Sequence, residues 1–156
     1  MMMHRSCDVL AALNGKTLVT AESCTGGGIG AVLTSVPGSS EVYKGGVVSY
    51  TNWVKENVLD IDREVLKQYG AVSSPVAQAM AAGVRKLLQA DVAVSVTGLA
   101  GPGGDDFENP VGTVFIGYCD ENKLLAKEHH FSGSREQVRN QAIHATLELI
   151  LQENSI

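Results

Sequence analysis

A chain of 156 residues with 44% hydrophobic and 19% charged residues has the size and composition of one folded domain, which excludes a wholly disordered chain. No apolar run reaches the roughly 18 residues that a membrane span requires, and the N-terminus lacks the apolar block of a signal peptide, so we expect a cytoplasmic protein with no membrane partner. The net charge of −5 and the lack of a basic cluster argue against nucleic acid as a partner.

The predicted strands are short, rich in β-branched residues and bounded by glycine or turn residues. They cover residues 17–21, 46–50, 92–97 and 112–119, with a further edge strand over 124–131. The predicted helices cover residues 9–13, 25–36 and 75–89, and a last one runs from residue 134 nearly to the end of the chain.

Two of the helix starts carry capping signals. Ser74 is the predicted N-cap of the third helix, with Pro75 as its first helical residue. Ser134 and Gln137 have the spacing of a capping box at the start of the last helix. Strands separated by helices predict a layered α/β domain over residues 1–156, and the hairpin-like pair at 112–131 indicates a central mixed sheet flanked by helices.

A first candidate site follows the first strand, in the string TAESCTGGG at residues 20–28. It offers three candidate nucleophiles at the carboxyl end of a strand, where open α/β sheets bind ligands: Ser23, Cys24 and Thr25. Glycines such as Gly26 and Gly27 let backbone N–H groups approach a ligand, and a helix N-terminus favours an anion. A turn that only lets the helix pack tightly explains the same residues, and the residues alone do not choose between these interpretations.

A second candidate site is the segment 49–55, which ends in Lys55. At the reference pKa of about 10.4, only about one lysine in 10³–10⁴ is neutral at pH 7. Burial beside Tyr50 would lower the pKa of Lys55 and turn it into a general base. A solvated surface lysine is the alternative.

Glycine-rich and basic segments complete the candidates. Gly98, Gly101 and Pro102 lie in a loop after the third long strand and could bring backbone amides to a ligand, or form only a connecting loop. Arg135 and Arg139 are one helical turn apart and could together hold a phosphate, or be solvated. The three cysteines have no Cys-x-x-Cys spacing, which predicts neither a disulfide framework nor a zinc site.

Six strings in chain order resemble the CinA C-terminal domain family, whose enzymatic members are nicotinamide-nucleotide amidases (nicotinamide mononucleotide deamidases, PncC). They are TAESCTGG at 20–27, VPGSSEVYKGGVVSYTNWVK at 36–55, YGAVSSPVA at 69–77, SVTGLAGPGG at 95–104, NPVGTVFIG at 109–117 and FSGSREQVRNQA at 131–142. The resemblance covers essentially the whole chain, and the length is similar to that of the stand-alone form of the family.

The resemblance implies an α/β fold, a homodimer or larger homo-oligomer, and hydrolysis of nicotinamide mononucleotide to nicotinic acid mononucleotide and ammonia without a metal or cofactor. The family's Ser/Lys pair and assisting Tyr correspond to Ser23, Lys55 and Tyr50. The implied substrate-binding residues are Cys24, Thr25, Gly26, Gly27, Gly98, Gly101, Pro102, Arg135 and Arg139.

Two positions depart from the family pattern. Ser134 stands where members often carry Asp, and Asn109 stands where they often carry Lys. Both changes remove charge near the implied substrate site and leave the Ser/Lys/Tyr set intact. A nucleotide-binding paralogue with little or no turnover, and an amidase for a related nucleotide, remain alternative interpretations.

Overall fold

A five-stranded mixed β-sheet forms the centre of the molecule in the computed structural model, which describes residues 2–155 apart from the side chain of Met3. The strands are β1 (Leu18–Glu22), β2 (Tyr43–Val48), β3 (Val92–Gly98), β4 (Thr113–Cys119) and β5 (Leu124–His130), in the spatial order β2-β1-β3-β4-β5. β1 pairs in parallel with both β2 and β3, whereas β3–β4 and β4–β5 are antiparallel. The predicted mixed sheet and layered α/β class are therefore confirmed.

Six α-helices occur within residues 2–155, and they cover both faces of the sheet. They are α1 (Met2–Ala12), α2 (Gly28–Thr34), α3 (Asn52–Asn57), α4 (Arg63–Tyr69), α5 (Ser74–Leu88) and α6 (Arg135–Asn154). Alternate residues of β3 enter two cores: Val92, Val94 and Val96 pack towards α1, α2 and α6, while Ala93 packs towards α5. Because both faces are covered, β3 has a nearly continuous run of buried residues.

The helix starts agree with the sequence in one case and differ in another. Ser134 accepts from the Gln137 N–H while the Gln137 side chain accepts from the Ser134 N–H, which confirms the capping box. The predicted N-cap Ser74 is wrong: the Ser73 side chain accepts from the Val76 N–H, and Ser74 is already helical. Ser73 and Ser74 have the same side chain, so residue type alone could not show which of them is the N-cap.

Four helices differ from the prediction. α2 is shorter, since it covers residues 28–34 rather than 25–36. α1 begins at Met2 rather than at residue 9, and α3 and α4 were not predicted. The latter two have six and seven residues, fewer than two turns each, which is too short for a clear helical period. None of the helices within residues 2–155 combines the length and the apolar character needed to cross a bilayer.

Candidate active site

The carboxyl ends of the three parallel strands meet at one edge of the sheet. The chain passes from β1 through α2 to β2, and then crosses to β3 on the other side of β1 through α3, α4 and α5. The first connection covers one face of the sheet and the second covers the other. Such a change of direction opens a crevice beyond the strand ends, where α/β proteins bind their ligands.

Ser23 lies at this crevice, directly after β1. Its backbone N–H donates to the Val96 carbonyl at 2.9 Å, which continues the β1–β3 ladder by one residue. On the other side, the Ser49 N–H donates to the Glu22 carbonyl at 2.8 Å and continues the β1–β2 ladder. The position of Ser23 is therefore fixed by the sheet itself, and its side chain is only slightly exposed.

Lys55 reaches Ser23 from α3. Its Nζ donates to the Ser23 Oγ at 3.1 Å and to the Ser49 carbonyl oxygen at 2.7 Å. Thr51 begins α3 as its N-cap, by accepting from the Val54 N–H, so the short turn after β2 directs the helix back across the end of β1. Residues 32 positions apart thus come within hydrogen-bonding distance.

The environment of Lys55 favours the neutral amine. The residue is 1% exposed, and burial lowers its pKa from 10.5 to about 8. No carboxylate forms an ion pair with Lys55 in the part of the chain that the structure describes, so no opposite charge stabilises the ammonium form. The amine can therefore lose its proton near neutral pH.

The three candidate nucleophiles have different surroundings. Burial raises the pKa of the Cys24 thiol from 9.0 to about 11, which disfavours the reactive thiolate. The Thr25 hydroxyl donates to the Glu22 carboxylate at 2.7 Å. Of these three side chains, only that of Ser23 forms a hydrogen bond with the Lys55 amine. The histidines of the described chain lie outside the cavity lining, so a Cys24–His pair has no geometric support.

A cavity of about 380 Å³ opens above Ser23 and Lys55. It is lined by the ends of β1 and β3, the segment after β2, the loop before α5 and the glycine loop after β3. The lining residues are Ser23, Cys24, Tyr50, Asn52, Lys55, Ala71, Val72, Thr97, Gly98, Leu99, Ala100, Gly101, Pro102, Gly103, Gly104 and Arg135. Of the residues assigned from the sequence, Thr25, Gly26, Gly27 and Arg139 are not among them.

Tyr50 and Arg135 join the two sides of the cavity entrance. One terminal nitrogen of Arg135 donates to the Tyr50 hydroxyl at 3.1 Å, and the other donates to the Gly101 carbonyl at 2.8 Å. Within residues 2–155 no hydrogen bond links Tyr50 to Ser23 or Lys55. The structure therefore places Tyr50 at the entrance of the cavity and Lys55 beside Ser23.

Arg139 has a different position from Arg135. Its Nε donates to the Cys24 carbonyl at 3.0 Å and its NH2 group to the Thr25 carbonyl at 3.2 Å. Both acceptors belong to the backbone of the loop that carries Ser23. One helical turn thus separates an arginine at the cavity entrance from an arginine that binds the loop carrying Ser23.

The glycines after Ser23 allow close packing of α2. Gly27 has a left-handed φ of 102°, which favours glycine at the N-cap of this helix. A Cβ at Gly28 would come within 2.6 Å of the Ile143 side chain on α6. Gly27 is therefore favoured by its backbone conformation and Gly28 by the close approach of α6.

Sequence reasoning missed Asn52 and Thr97, which line the cavity. Asn109, one of the two departures from the family pattern, holds a neighbouring loop. The Thr97 hydroxyl donates to the Ala71 carbonyl at 2.8 Å, and Asn109 donates to the Val72 carbonyl at 3.2 Å. Thr97 ends a buried strand next to the glycine loop, and that position was the available signal. Trp53 is 67% exposed and is absent from the cavity lining.

A larger concavity of about 700 Å³ lies between β5 and α6, away from Ser23. None of its described lining residues is a serine, threonine or cysteine. The smaller cavity contains a serine hydroxyl next to a lysine amine with a lowered pKa, so it is the candidate active site. Within residues 2–155 no three His, Cys, Asp or Glu side chains group as metal ligands, and the expectation of a metal-free site stays a prediction.

Known proteins resemble this chain along nearly all of its length. The family model of the CinA C-terminal domain matches residues 2–154. A CinA-like protein of Parasynechococcus marenigrum is 50% identical over 129 residues, which are 81% of this chain and 31% of that protein. A CinA-like protein of Thermotoga maritima is 44% identical over 133 residues, 85% of this chain and 32% of that protein. The chain spans about a third of the length of these curated relatives.

Solved structures share the whole fold. Competence damage-inducible protein A (ComA) of Klebsiella pneumoniae is 34% identical, with a TM-score of 0.95 over 97% of this chain and 96% of that chain. Competence/damage inducible protein CihA of Agrobacterium tumefaciens is 36% identical, with a TM-score of 0.94 over 99% of this chain and 96% of that chain. The chain belongs to the CinA C-terminal domain family.

Proposed function

We propose that this chain is a serine amidohydrolase that converts nicotinamide mononucleotide to nicotinic acid mononucleotide and ammonia, with Ser23 as nucleophile and Lys55 as general base. The single observation that carries the proposal is the 3.1 Å contact between the Lys55 Nζ and the Ser23 Oγ. A buried amine with a pKa of about 8 next to a serine hydroxyl is the arrangement that Ser/Lys catalysis requires.

Acylation begins when neutral Lys55 takes the Ser23 proton and the Oγ attacks the carboxamide carbon. The hydrogen bond from Lys55 to the Ser49 carbonyl orients the amine, so that its lone pair can face the hydroxyl. The Lys55 ammonium then gives its proton to the departing nitrogen, which leaves as ammonia while the C–N bond breaks.

Deacylation uses the same two side chains, with water as the attacking group and Ser23 as the leaving group. A water molecule gives a proton to Lys55 and attacks the Ser23 ester, and the ester C–O bond then breaks. Lys55 returns the proton to the Ser23 Oγ, and the carboxylic acid is released. Overall, one amide and one water become one acid and one ammonia.

Residues 23–28 form the loop that carries Ser23, the nucleophile loop. Its backbone N–H groups would stabilise the tetrahedral oxyanion. The Ser23 N–H is bound to the Val96 carbonyl, and the Gly26 N–H donates to the Ser23 carbonyl at 3.1 Å. Within residues 2–155 the N–H groups of Cys24 and Thr25 have no hydrogen-bond partner, and Cys24 lines the cavity, so these two N–H groups are candidate donors. Losing one such donor costs about 3–4 kcal/mol of transition-state stabilisation.

The substrate phosphate would lie at the entrance, against Arg135 and the glycine loop that contains Gly101 and Pro102. Arginine has five N–H donors, and the contacts of Arg135 with Tyr50 and Gly101 leave others for a phosphate oxygen. We retain Tyr50 as a part of the substrate site, and its assisting role stays a prediction. The cytoplasmic location and the homodimer or larger assembly also stay predictions.

Ammonia release from nicotinamide mononucleotide tests the proposal. Wild-type protein should release ammonia, and Ser23→Ala should reduce release to background. Ser35→Ala is a matched control, because Ser35 is exposed at the end of α2, away from the cavity. Substrate binding without ammonia release by the wild type would favour a nucleotide-binding paralogue, and release from other nucleotide amides only would change the substrate.

A further inference from the structure

Glu22 is a buried carboxylate directly before the nucleophile, and the mechanism above does not use it. The residue ends β1 and is 2% exposed. Within residues 2–155 no lysine, arginine or histidine forms an ion pair with it. A buried charge without a counter-ion is costly unless hydrogen bonds satisfy it, so its contacts indicate why it is there.

Three donors surround the Glu22 carboxylate. Oε1 accepts from the Thr25 hydroxyl at 2.7 Å and from the Ile29 N–H at 2.8 Å, and Oε2 accepts from the Gly30 N–H at 3.0 Å. The two N–H groups belong to the first turn of α2, whose N-cap Gly27 has no side chain to satisfy them. Glu22 therefore holds both the turn after Ser23 and the helix that follows.

Neighbouring residues on an extended strand point to opposite faces of the sheet. Glu22 accordingly contacts α2 on one face, while Ser23 contacts Lys55 of α3 on the other. The carboxylate thus joins the end of β1 to the first turn of α2 and holds the loop of residues 23–28 between them. Glu22 itself does not line the cavity. Its hydrogen bonds hold the loop in one conformation, so they also determine where the Ser23 Oγ and the N–H groups of Cys24 and Thr25 lie.

We propose that Glu22 is a positioning residue for the reaction, because it holds the nucleophile loop in the shape that keeps Ser23 in contact with Lys55. This inference rests on the proposed function. A displacement of about 1 Å at a reacting group can reduce the rate about 10²-fold, so loosening the loop should lower the rate of the chemical step more than substrate affinity.

A merely structural cap would behave differently. Its loss would lower the unfolding temperature, and the remaining folded molecules would react at the normal rate. A positioning residue changes kcat in fully folded protein while KM stays nearly constant. The rate at which Ser23 reacts with a fluorophosphonate probe gives a second readout, since that reaction depends on the nucleophile and not on the nucleotide substrate.

Two variants remove different parts of the contact. Glu22→Gln keeps the shape of the side chain but presents an amide NH₂ group to donors, and Thr25→Val removes the hydroxyl donor while both N–H contacts remain. Asp62→Ala is a matched control, because Asp62 accepts from the Glu64 N–H as the N-cap of α4, outside the cavity lining. All four proteins are compared at a temperature where circular dichroism shows them folded.

We expect Glu22→Gln to lower both kcat and the labelling rate of Ser23 by about ten-fold or more, with KM within about two-fold of wild type. Thr25→Val should show a smaller loss in the same two readouts, and it keeps the test valid if Glu22→Gln does not fold. Asp62→Ala should lower the unfolding temperature and leave both rates unchanged.

The outcomes separate this inference from the proposed function. Wild-type labelling rates in Thr25→Val and in folded Glu22→Gln would overturn the positioning role. A wild type that is labelled at Ser23 but releases no ammonia would refute the proposed substrate, and slower labelling of Glu22→Gln would still support the role of Glu22. A wild type that is not labelled at Ser23 would refute both.

Discussion

The pH dependence of turnover should follow the ionisation of Lys55. At pH 7 a lysine with the usual pKa of 10.5 is neutral in about one molecule in 3000, whereas a pKa of about 8 leaves about one molecule in eleven neutral. Burial of Lys55 therefore increases the fraction of active base about 300-fold, which corresponds to roughly 3 kcal/mol. This gain is available only because no carboxylate holds the amine in its charged form.

Because the base must be unprotonated, we expect kcat/KM to rise about five-fold between pH 7 and pH 8 and to level off above pH 9 at about eleven times its value at pH 7. Initial rates of ammonia release between pH 7 and about pH 9.5 measure this profile, and the lower limit avoids the ionisation of the substrate phosphate near pH 6. Lys55→Arg is the matched control, since it keeps a cation and hydrogen-bond donors but cannot become neutral in this range. A profile that is flat through pH 8, or a Lys55→Arg variant with wild-type kcat, would refute the role of Lys55.

Three further predictions concern neighbouring groups. Lys55→Met should abolish turnover yet unfold in denaturant with at least wild-type stability at pH 7, because it loses two hydrogen bonds worth about 1 kcal/mol each and relieves a charge penalty of roughly 3 kcal/mol. Since the pKa is lower in the folded state, wild-type stability should rise between about pH 8 and pH 10.5, and the advantage of the variant should disappear there. In steady-state kinetics, Arg135→Ala should mainly raise KM, because Arg135 lies at the cavity entrance. Arg139→Ala should mainly lower kcat, because Arg139 binds the nucleophile loop. The reverse pattern would contradict this assignment of the two arginines. Cys24→Ala should keep kcat within a few-fold and iodoacetamide should react slowly at pH 7, because the thiol pKa is about 11; rapid inactivation by alkylation of Cys24 would contradict this.

The arrangement of strands was largely predictable from the sequence. β-Branched runs bounded by glycine or turn residues predicted four of the five strands, and the fifth, β5, was predicted as an edge strand. The choice of Ser23 among three nucleophiles was not predictable from residue types, and it came from the family resemblance. The structure adds a physical distinction, since of the three only Ser23 forms a hydrogen bond with Lys55, while the Thr25 hydroxyl donates to Glu22.

The burial of Lys55 and the separation of the two arginines could not be predicted, because both depend on packing between distant segments. Lys55 is enclosed by the end of β1, the segment after β2 and the loop before α5, and no local pattern specifies that enclosure. Arg135 and Arg139 have the same spacing whether they share a phosphate or not. The structure distinguishes their positions, because Arg135 donates to the Gly101 carbonyl and Arg139 donates to the Cys24 carbonyl.

Trapping the covalent intermediate tests the central claim most directly. Wild-type protein is mixed with nicotinamide mononucleotide, quenched with acid within milliseconds to seconds, and digested for mass spectrometry. We predict an adduct with the mass of the substrate less ammonia on Ser23 in the wild type, and no adduct in Lys55→Met. An adduct on Cys24 or Thr25, or equal acylation of Ser23 without Lys55, would contradict the account.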